Sequence, residues 1–240
     1  EGFDSVIGNP PYIGEKGHKA IFQLVKADIH LGQYYLGKMD YFYFFFHLAF
    51  NMLSPSGVAT FITTNYYPTA LGARKLRADI KDRMNIKTLF NLGELRLFEN
   101  APGQHNMISS FAKGKDGCKC QVIDVHKKGA LNPIMFTSII NHIDEDTSYA
   151  DIAQEDLYDG EENYIRLQNS NGDNPLSSLL EKIQLGNNTL GNIAEVNAGI
   201  MGGCDSITNH NMKYADADYI QYNDIRKDDG KKPGKSRAPY

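Results

Sequence analysis

The sequence lacks the features that would mark a membrane-spanning, secreted or metal-binding protein. No apolar run is long enough to cross a bilayer, and the densest, residues 41–50, contains His47. The N-terminus does not have the pattern of a secretory signal peptide, which is a basic stretch, then an apolar stretch, then small residues. We therefore expect a cytoplasmic protein or one whose start has been removed. The cysteines Cys118, Cys120 and Cys204 are odd in number and suit neither a zinc site nor a disulfide framework. A reducing compartment is therefore favoured, and no metal is expected.

The sequence also lacks an excess of positive charge. Its formal net charge is −4, from 25 Lys and Arg against 29 Asp and Glu, so the chain as a whole is not a polycation built for nucleic acid. This weighs only weakly against DNA binding, because a local basic patch would suffice. With 41% hydrophobic and 22% charged residues, the composition is that of a soluble globular protein. Its 240 residues suit one large domain or a domain and a half.

Helix-period and strand-period patterns alternate through the first half of the chain. The predicted order is strand, helix, strand, helix, strand, strand, and the last two strands are expected to pair antiparallel. This order is that of the second half of a Rossmann-like, doubly wound α/β sheet. The predicted elements cover residues 3–7, 38–53, 58–63, 71–84, 86–92 and 106–112.

Beyond residue 115 the pattern changes. A further strand is predicted at 119–126 and a helix at 175–185, whereas residues 129–164 give no firm assignment. A linker-like stretch at 185–192 precedes β-rich sequence. We therefore predict three parts: residues 1–115, a mixed α/β connector at 116–186, and the start of a β-rich domain at 187–240 that stops early.

The sequence Asn-Pro-Pro-Tyr at 9–12 follows the first predicted strand. Two consecutive prolines fix two φ angles and restrict the residue before each, so the turn is stiff. The carboxyl end of a strand is where open α/β sheets bind their ligands. The loop therefore presents three groups rigidly: the amide of Asn9, the carbonyl of Pro10 and the ring of Tyr12.

These groups suit a planar amine whose lone pair is delocalised. Two acceptors placed out of the amine's plane draw its nitrogen towards tetrahedral geometry, so that the lone pair localises and can attack an electrophilic methyl group. The oxygen of Asn9 and the carbonyl of Pro10 are such acceptors, and Tyr12 could stack on the substrate. As a bare tetrapeptide the motif is equally compatible with a plain rigid turn, and it is the surrounding α/β pattern that favours chemistry.

Four segments carry a resemblance to a known family. "DSVIGNPPY" (4–12) resembles motif IV of S-adenosylmethionine-dependent amino-methyltransferases, in the form found in adenine-N6 DNA methyltransferases. "MDYFYFFFHLAFNMLSPSGVATFITTNYY" (39–67) resembles the helix and strand that follow in those enzymes, including the signature G-x-x-x-F-I-T at 57–63. "GELRLFENAPGQHNMISSFAKGK" (93–115) resembles their target-base motif. "LGNIAEVNAGIMGGCD" (190–205) resembles the opening of a TaqI-like target recognition domain. The likeness is greatest to type II (IIG/IIS-like) restriction–modification enzymes.

The resemblance implies roles for individual residues. Asn9 and Pro10 would bind the amine of adenine, with Pro11 completing the rigid loop, and Tyr12 would stack on the flipped base. Phe111 is the best match to a second aromatic that packs on the base. Base flipping fits, because the amine of adenine is otherwise buried in the duplex stack.

The resemblance also implies a cofactor and partners. S-adenosylmethionine would touch Asn9, but the family's other cofactor-binding residues lie upstream of motif IV and have no counterpart here. We therefore expect an internal fragment that binds the cofactor poorly and is inactive alone. Its partners would be double-stranded DNA and the rest of a parent polypeptide, with a cofactor-binding half and, in some relatives, a nuclease.

Three basic residues at helical spacing, Arg74, Arg77 and Lys81, are candidates for contact with DNA phosphates. A solvated helix face is the favoured interpretation, by roughly two to one.

Three other functions stay open. Methyltransferases that act on protein glutamine share the Asn-Pro-Pro-Tyr loop, and RNA adenine would need the same chemistry. A DNA-recognition module without catalysis would fit the missing cofactor half. The long extension beyond Lys115 favours a nucleic-acid substrate over protein glutamine.

Overall fold

The computed structural model describes residues 2–98, 104–115 and 117–167, and the backbone of three short strands nearer the C-terminus. The chain divides into two compact units, residues 1–178 and 179–240. The strands of the first unit are β1 (Phe3–Gly8), β2 (Leu53–Thr64), β3 (Met84–Asn91), β4 (Leu95–Arg96), β5 (Asn106–Lys113), β6 (Cys120–Val125), β7 (Gly129–Ala130), β8 (Thr147–Ile152), β9 (Tyr158–Asp159) and β10 (Tyr164–Ile165). Its α-helices are α1 (Lys19–Ala27), α2 (Phe42–Met52), α3 (Arg74–Arg83) and α4 (Pro133–Ile140).

A mixed sheet of six strands, in the order β1-β2-β5-β3-β6-β8, forms the centre of the first unit. β1 is parallel to β2 and β3 is parallel to β6, whereas β5 lies antiparallel between β2 and β3. The predicted α/β sheet and the antiparallel pairing of its last two predicted strands are confirmed. The two short pairs β4–β7 and β9–β10 and the helices lie outside this sheet.

The predicted boundary at residue 115 is wrong in the part of the chain that the structure describes. β6 continues the same sheet on the far edge of β3, with Thr88 opposite Gln121, and β8 then pairs antiparallel with β6. β6 is predominantly apolar and almost wholly buried, because it has a strand on either side and helices near both faces. The residues expected to form a separate connector therefore complete the sheet.

Aromatic side chains of α2 form the core on one face of the sheet. Phe42, Phe46 and Phe50 recur every fourth residue, so they share one side of the helix, and all are fully buried. The ring of Phe46 lies 4.7 Å from that of Phe61 on β2 and 5.4 Å from that of Phe111 on β5. Burying each such ring contributes about 2 kcal/mol. α2 is thus fixed against the centre of the sheet.

The opposite face of the sheet is covered at one end only. Ile139 of α4 packs there with Phe90 and Ile123, whereas Ile62 of β2 is only half-buried. Ile7 of β1 is 82% exposed and points to the same face, because its neighbour in register is Thr60. Over β1, β2 and β5 this face is therefore open in the described part of the chain, and it carries polar side chains such as Thr60 and Ser110 as well as apolar ones.

The second unit contains three described strands, β11 (Met212–Ala215), β12 (Tyr219–Tyr222) and β13 (Ser236–Pro239), in an antiparallel sheet. The predicted helix at 175–185, the linker and the segment 190–205 that resembles a recognition domain lie outside the described residues. Among the residues that the structure does describe, no helix is long and apolar enough to cross a membrane.

Within the first unit, Arg77 of α3 links the segment that carries β9 and β10 to residues 67–70. Its side chain is fully buried and donates to the carbonyls of Tyr67 (3.0 Å), Ala70 (2.6 Å) and Glu162 (3.0 Å). The guanidinium also lies 4.7 Å from the centre of the Tyr164 ring. Backbone groups of two loops therefore depend on one cation for their hydrogen bonds.

We predict that Arg77→Met destabilises the chain by roughly 3 kcal/mol, because buried carbonyls lose their donors while the apolar volume is kept. Arg74→Met is the matched control: Arg74 is 51% exposed and its ion pair within the described residues is with Glu162, so its loss should cost less than about 1 kcal/mol. Urea denaturation of the two variants measures the difference. Equal midpoints would contradict the structural role of Arg77.

Candidate active site

The Asn-Pro-Pro-Tyr loop lies at the carboxyl edge of the sheet. Because β1 and β2 are parallel, residues 9–12 and residues 63–65 emerge at the same edge, and antiparallel β5 begins there with Asn106 opposite Thr64. Gly8 allows the close approach: a Cβ at this position would lie 2.8 Å from the ring of Phe61. The ends of three strands thus converge on the loop.

The hydroxyl of Tyr12 links these strand ends. It lies 2.8 Å from the side-chain oxygen of Asn9 and 2.9 Å from the carbonyl oxygen of Ile62, two acceptors that share one proton. Burial raises the pKa of Tyr12 to about 12, although a hydrogen bond with the Asn106 side chain acts to lower it. The ring meets Phe42 edge-on with 6.1 Å between centres. The hydroxyl of Tyr12 therefore stays protonated, and both the hydroxyl and the ring are held in place.

A chain of amides continues along the same edge. Asn65 donates to the side-chain oxygen of Asn91 (2.9 Å), and Asn91 donates to Asp124 (2.7 Å). These residues end β2, β3 and β6, and both Asn91 and Asp124 are buried. Sequence reasoning missed this network, although a polar residue at the end of each apolar strand was a signal available to it.

His105 anchors the loop between β3 and β5. Its Nδ1 lies 2.9 Å from the carbonyl oxygen of Gly93, and its backbone oxygen accepts from Asn65. The ring of Tyr66, which is 50% exposed, meets His105 edge-on at 6.5 Å. His105 is thus a structural part of this loop.

Phe111 does not reach the site, and its predicted role in stacking on the target base is wrong. Its side chain is fully buried between Phe46 and Phe50, with 5.4 Å between ring centres in each pair. It faces α2 because its neighbour in register is Ala59, and it lies about 17 Å along β5 from the edge where that strand begins. The strand pattern alone could not show which face of β5 the helix covers.

The basic residues of α3 do not form a free surface for DNA. Arg77 is fully buried, so its predicted phosphate contact is wrong. Arg74 pairs with Glu162 at 3.2 Å, and Lys81 donates to the side-chain oxygen of Asn163 at 2.7 Å. The segment that carries β9 and β10 lies against this face of the helix and supplies its partners.

A pocket of about 270 Å³ lies beside Asn9, between β1 and α2. Apart from Asn9 its lining side chains are apolar; they include Val6, Phe45 and Met52. S-adenosylmethionine carries ribose hydroxyls and an ammonium group, which need carboxylate or carbonyl acceptors that this lining does not offer. The lining of this pocket therefore fits only the reacting end of that cofactor, through Asn9.

Residues 1–98 match the family model of the Eco57I restriction-modification methylases. The type II methyltransferases M.HincII and M.HindII, both of Haemophilus influenzae, are each 25% identical to this chain over 130 residues, or 54% of its length. Over these residues the chain is similar to restriction-modification methyltransferases. It spans about a quarter of the length of these two relatives.

Solved structures share the fold. The methyltransferase subunit of a type I restriction-modification system from Streptococcus thermophilus superposes with a TM-score of 0.50 at 15% identity, over 69% of this chain and 37% of that one. A modification subunit of a type I enzyme from Vibrio vulnificus gives the same TM-score and identity, over 74% of this chain and 40% of its own. The first unit thus shares its fold with these two subunits.

We predict an alkaline loss of stability that depends on Tyr12. The pKa of about 12 in the folded chain exceeds the value of about 10 expected when unfolded. The contribution of Tyr12 is therefore complete below pH 10 and is lost as the pH rises towards 12. Urea unfolding at several pH values should show a steeper alkaline decline for the wild type than for Tyr12→Phe. Parallel curves would contradict the raised pKa.

Proposed function

We propose that the first unit is the target-base half of a DNA methyltransferase that transfers a methyl group from S-adenosylmethionine to the N6 amine of adenine. The observation that carries the proposal is the position of Asn9 and Tyr12. They lie together at the carboxyl edge of a methyltransferase-type sheet, in a loop stiffened by Pro10 and Pro11. The relationship to type II methyltransferases supports DNA as the substrate.

The proposed chemistry needs acceptors rather than a strong base. The adenine amine donates one N–H to the oxygen of Asn9 and the other to the carbonyl of Pro10, which localises its lone pair. The cofactor supplies an electrophilic methyl group. The nitrogen forms its bond to that carbon as the carbon–sulfur bond breaks, and the electron pair stays on sulfur. The methylated nitrogen then loses a proton to water.

The ring of Tyr12 provides the stacking surface for the base. It is half-buried, with one edge on Phe42 and its hydroxyl fixed, so stacking requires little new ordering of the side chain. Adenine in a duplex must leave the stack to reach this loop, at a cost of a few kcal/mol. A pre-positioned ring offsets part of that cost.

The other half of the cofactor site is proposed to dock on β1. β2 pairs with one edge of β1, and within the described residues no strand occupies its other edge. An unpaired edge of this kind is a template for a further strand. The exposed Ile7 and the pocket beside Val6 would then pack against the added segment. We propose that this segment belongs to the parent polypeptide and carries the acceptors for the ribose and the ammonium group.

Two alternative substrates are an RNA adenine and the amide of a protein glutamine, since both present the same planar nitrogen.

The discriminating experiment uses the enzyme purified from its native source, with the 240-residue chain alone as control. Both are incubated with methyl-labelled S-adenosylmethionine and DNA, RNA or protein, and the products are identified by mass spectrometry. We expect N6-methyladenine in DNA from the native enzyme alone. Label confined to RNA or glutamine would overturn the DNA assignment, and no transfer would favour a recognition module.

We predict that Asn9→Ala in the native enzyme lowers the rate of methyl transfer at least 100-fold, the usual effect of removing one preorganised polar group from a reacting centre. Asn51→Ala is the matched control. Asn51 is also exposed and its oxygen also takes part in one hydrogen bond, from Arg83 at 2.7 Å, but it lies at the far end of α2. Single-turnover assays compare the two variants. A similar loss in both would contradict the role of Asn9.

We predict that Ile7→Lys in the native enzyme weakens the binding of S-adenosylmethionine at least tenfold, because a charge would be buried where the cofactor-binding half docks. Ile134→Lys provides the control, since Ile134 is 84% exposed and Ile7 82% exposed, and Ile134 lies on α4 away from β1. Isothermal titration measures the affinity. Unchanged binding in Ile7→Lys would exclude docking at this edge.

A further inference from the structure

The side chain of Asn9 is exposed, and the proposed chemistry requires that the oxygen of its amide, rather than the NH₂ group, faces the substrate amine. The oxygen and the NH₂ group of an amide have the same shape and opposite polarity, so a half-turn of the side chain replaces an acceptor by a donor. An NH₂ group facing the substrate amine would repel it. Some neighbour must therefore fix the orientation of Asn9 before the base arrives.

The hydroxyl of Tyr12 is the neighbour that can do this. It lies 2.8 Å from the oxygen of Asn9, and no other hydrogen bond to that side chain is present in the described part of the chain. A hydroxyl that donates to the oxygen disfavours the flipped orientation, in which two donors would meet. An amide oxygen has two acceptor directions, so one stays available for the substrate amine.

The hydroxyl is itself held from behind. The carbonyl oxygen of Ile62 lies 2.9 Å away, and Asn106, whose side-chain NH₂ donates to the carbonyl of Thr63 at 3.4 Å, is near enough to the hydroxyl to act on the pKa of Tyr12. Asn106 is only 1% exposed and is fixed as the first residue of β5, opposite Thr64. The position of the hydroxyl is therefore set by backbone pairing between β2 and β5.

We propose that Asn106 and the hydroxyl of Tyr12 are positioning residues, which together hold the amide of Asn9 with its oxygen towards the substrate amine. Tyr12 then acts twice, since its ring stacks on the base while its hydroxyl orients the acceptor. Asn106 acts on the hydroxyl of Tyr12 and so affects Asn9 indirectly. The inference rests on the proposed function for its catalytic consequence, but the orientation of Asn9 can be measured without catalysis.

The first arm of the test is spectroscopic and uses the 240-residue chain. Nitrogen-15 relaxation of the Asn9 side-chain NH₂ group reports its motion in the wild type, Tyr12→Phe and Asn106→Leu. We expect a restricted side chain in the wild type and a mobile one in both variants. Tyr149→Phe is the matched control, because it removes a hydroxyl bonded to a backbone carbonyl, that of Ile139 at 3.0 Å, at the other end of the sheet. Unchanged motion of Asn9 in Tyr12→Phe would overturn the proposal.

The second arm is kinetic and uses the native enzyme. Tyr12→Phe keeps the ring, so KM for DNA should change less than twofold, whereas kcat should fall about tenfold, the effect of losing one hydrogen bond. Tyr149→Phe should leave both constants unchanged. An unaltered kcat in Tyr12→Phe would overturn the positioning role. Absence of transfer by the wild type would instead refute the proposed function and leave the spectroscopic arm decisive.

Discussion

The parallel pairing of β1 with β2 is the constraint on which the rest of the site depends. It places the stiff loop 9–12 at the edge where β2 ends, and the antiparallel β5 then starts beside it with Asn106. The close contact of Gly8 with the ring of Phe61 sets how near the two strands can come. Without this pairing, the hydroxyl of Tyr12 would have neither Ile62 nor Asn106 within reach.

The aromatic helix α2 supports this arrangement from behind. Its buried rings contact both Phe61 and Phe111, so β2 and β5 are held by the same layer of side chains. Phe42 extends that layer to the edge of the Tyr12 ring. The residues that stabilise the fold are therefore continuous with those that position the site, and a loosened core would also loosen the loop.

Much of this could be predicted from the sequence, because the signals were local. Apolar strands, a helix with a phenylalanine every fourth residue and two prolines in a row each indicate their own structure. The place of Phe111 and Arg77 could not be predicted in the same way. An aromatic ring can stack on a base and a guanidinium can bind a phosphate, and only the packing of α2 and of the segment 158–166 shows that both side chains are buried.

The second half of the sheet was harder to predict for a related reason. α4 is apolar on most sides, so its pattern does not distinguish a buried helix from a strand, and β8 is short and mixed in polarity. The place of β8 depends on its pairing with β6. The place of β6 depends in turn on its pairing with β3, which is distant in sequence. The amide chain from Asn65 to Asp124 likewise exists only once three separate strands have been aligned.

The edge of β1 that no described strand occupies has a consequence for how a methyltransferase of the proposed kind can be divided. If a sheet is completed by hydrogen bonds across one strand boundary, the two sides of that boundary need not be covalently joined. Two separate polypeptides that meet at β1 would then recover their joint activity with second-order kinetics and lose it on dilution. The activity of a site completed at this edge would therefore depend on the concentration of the two polypeptides.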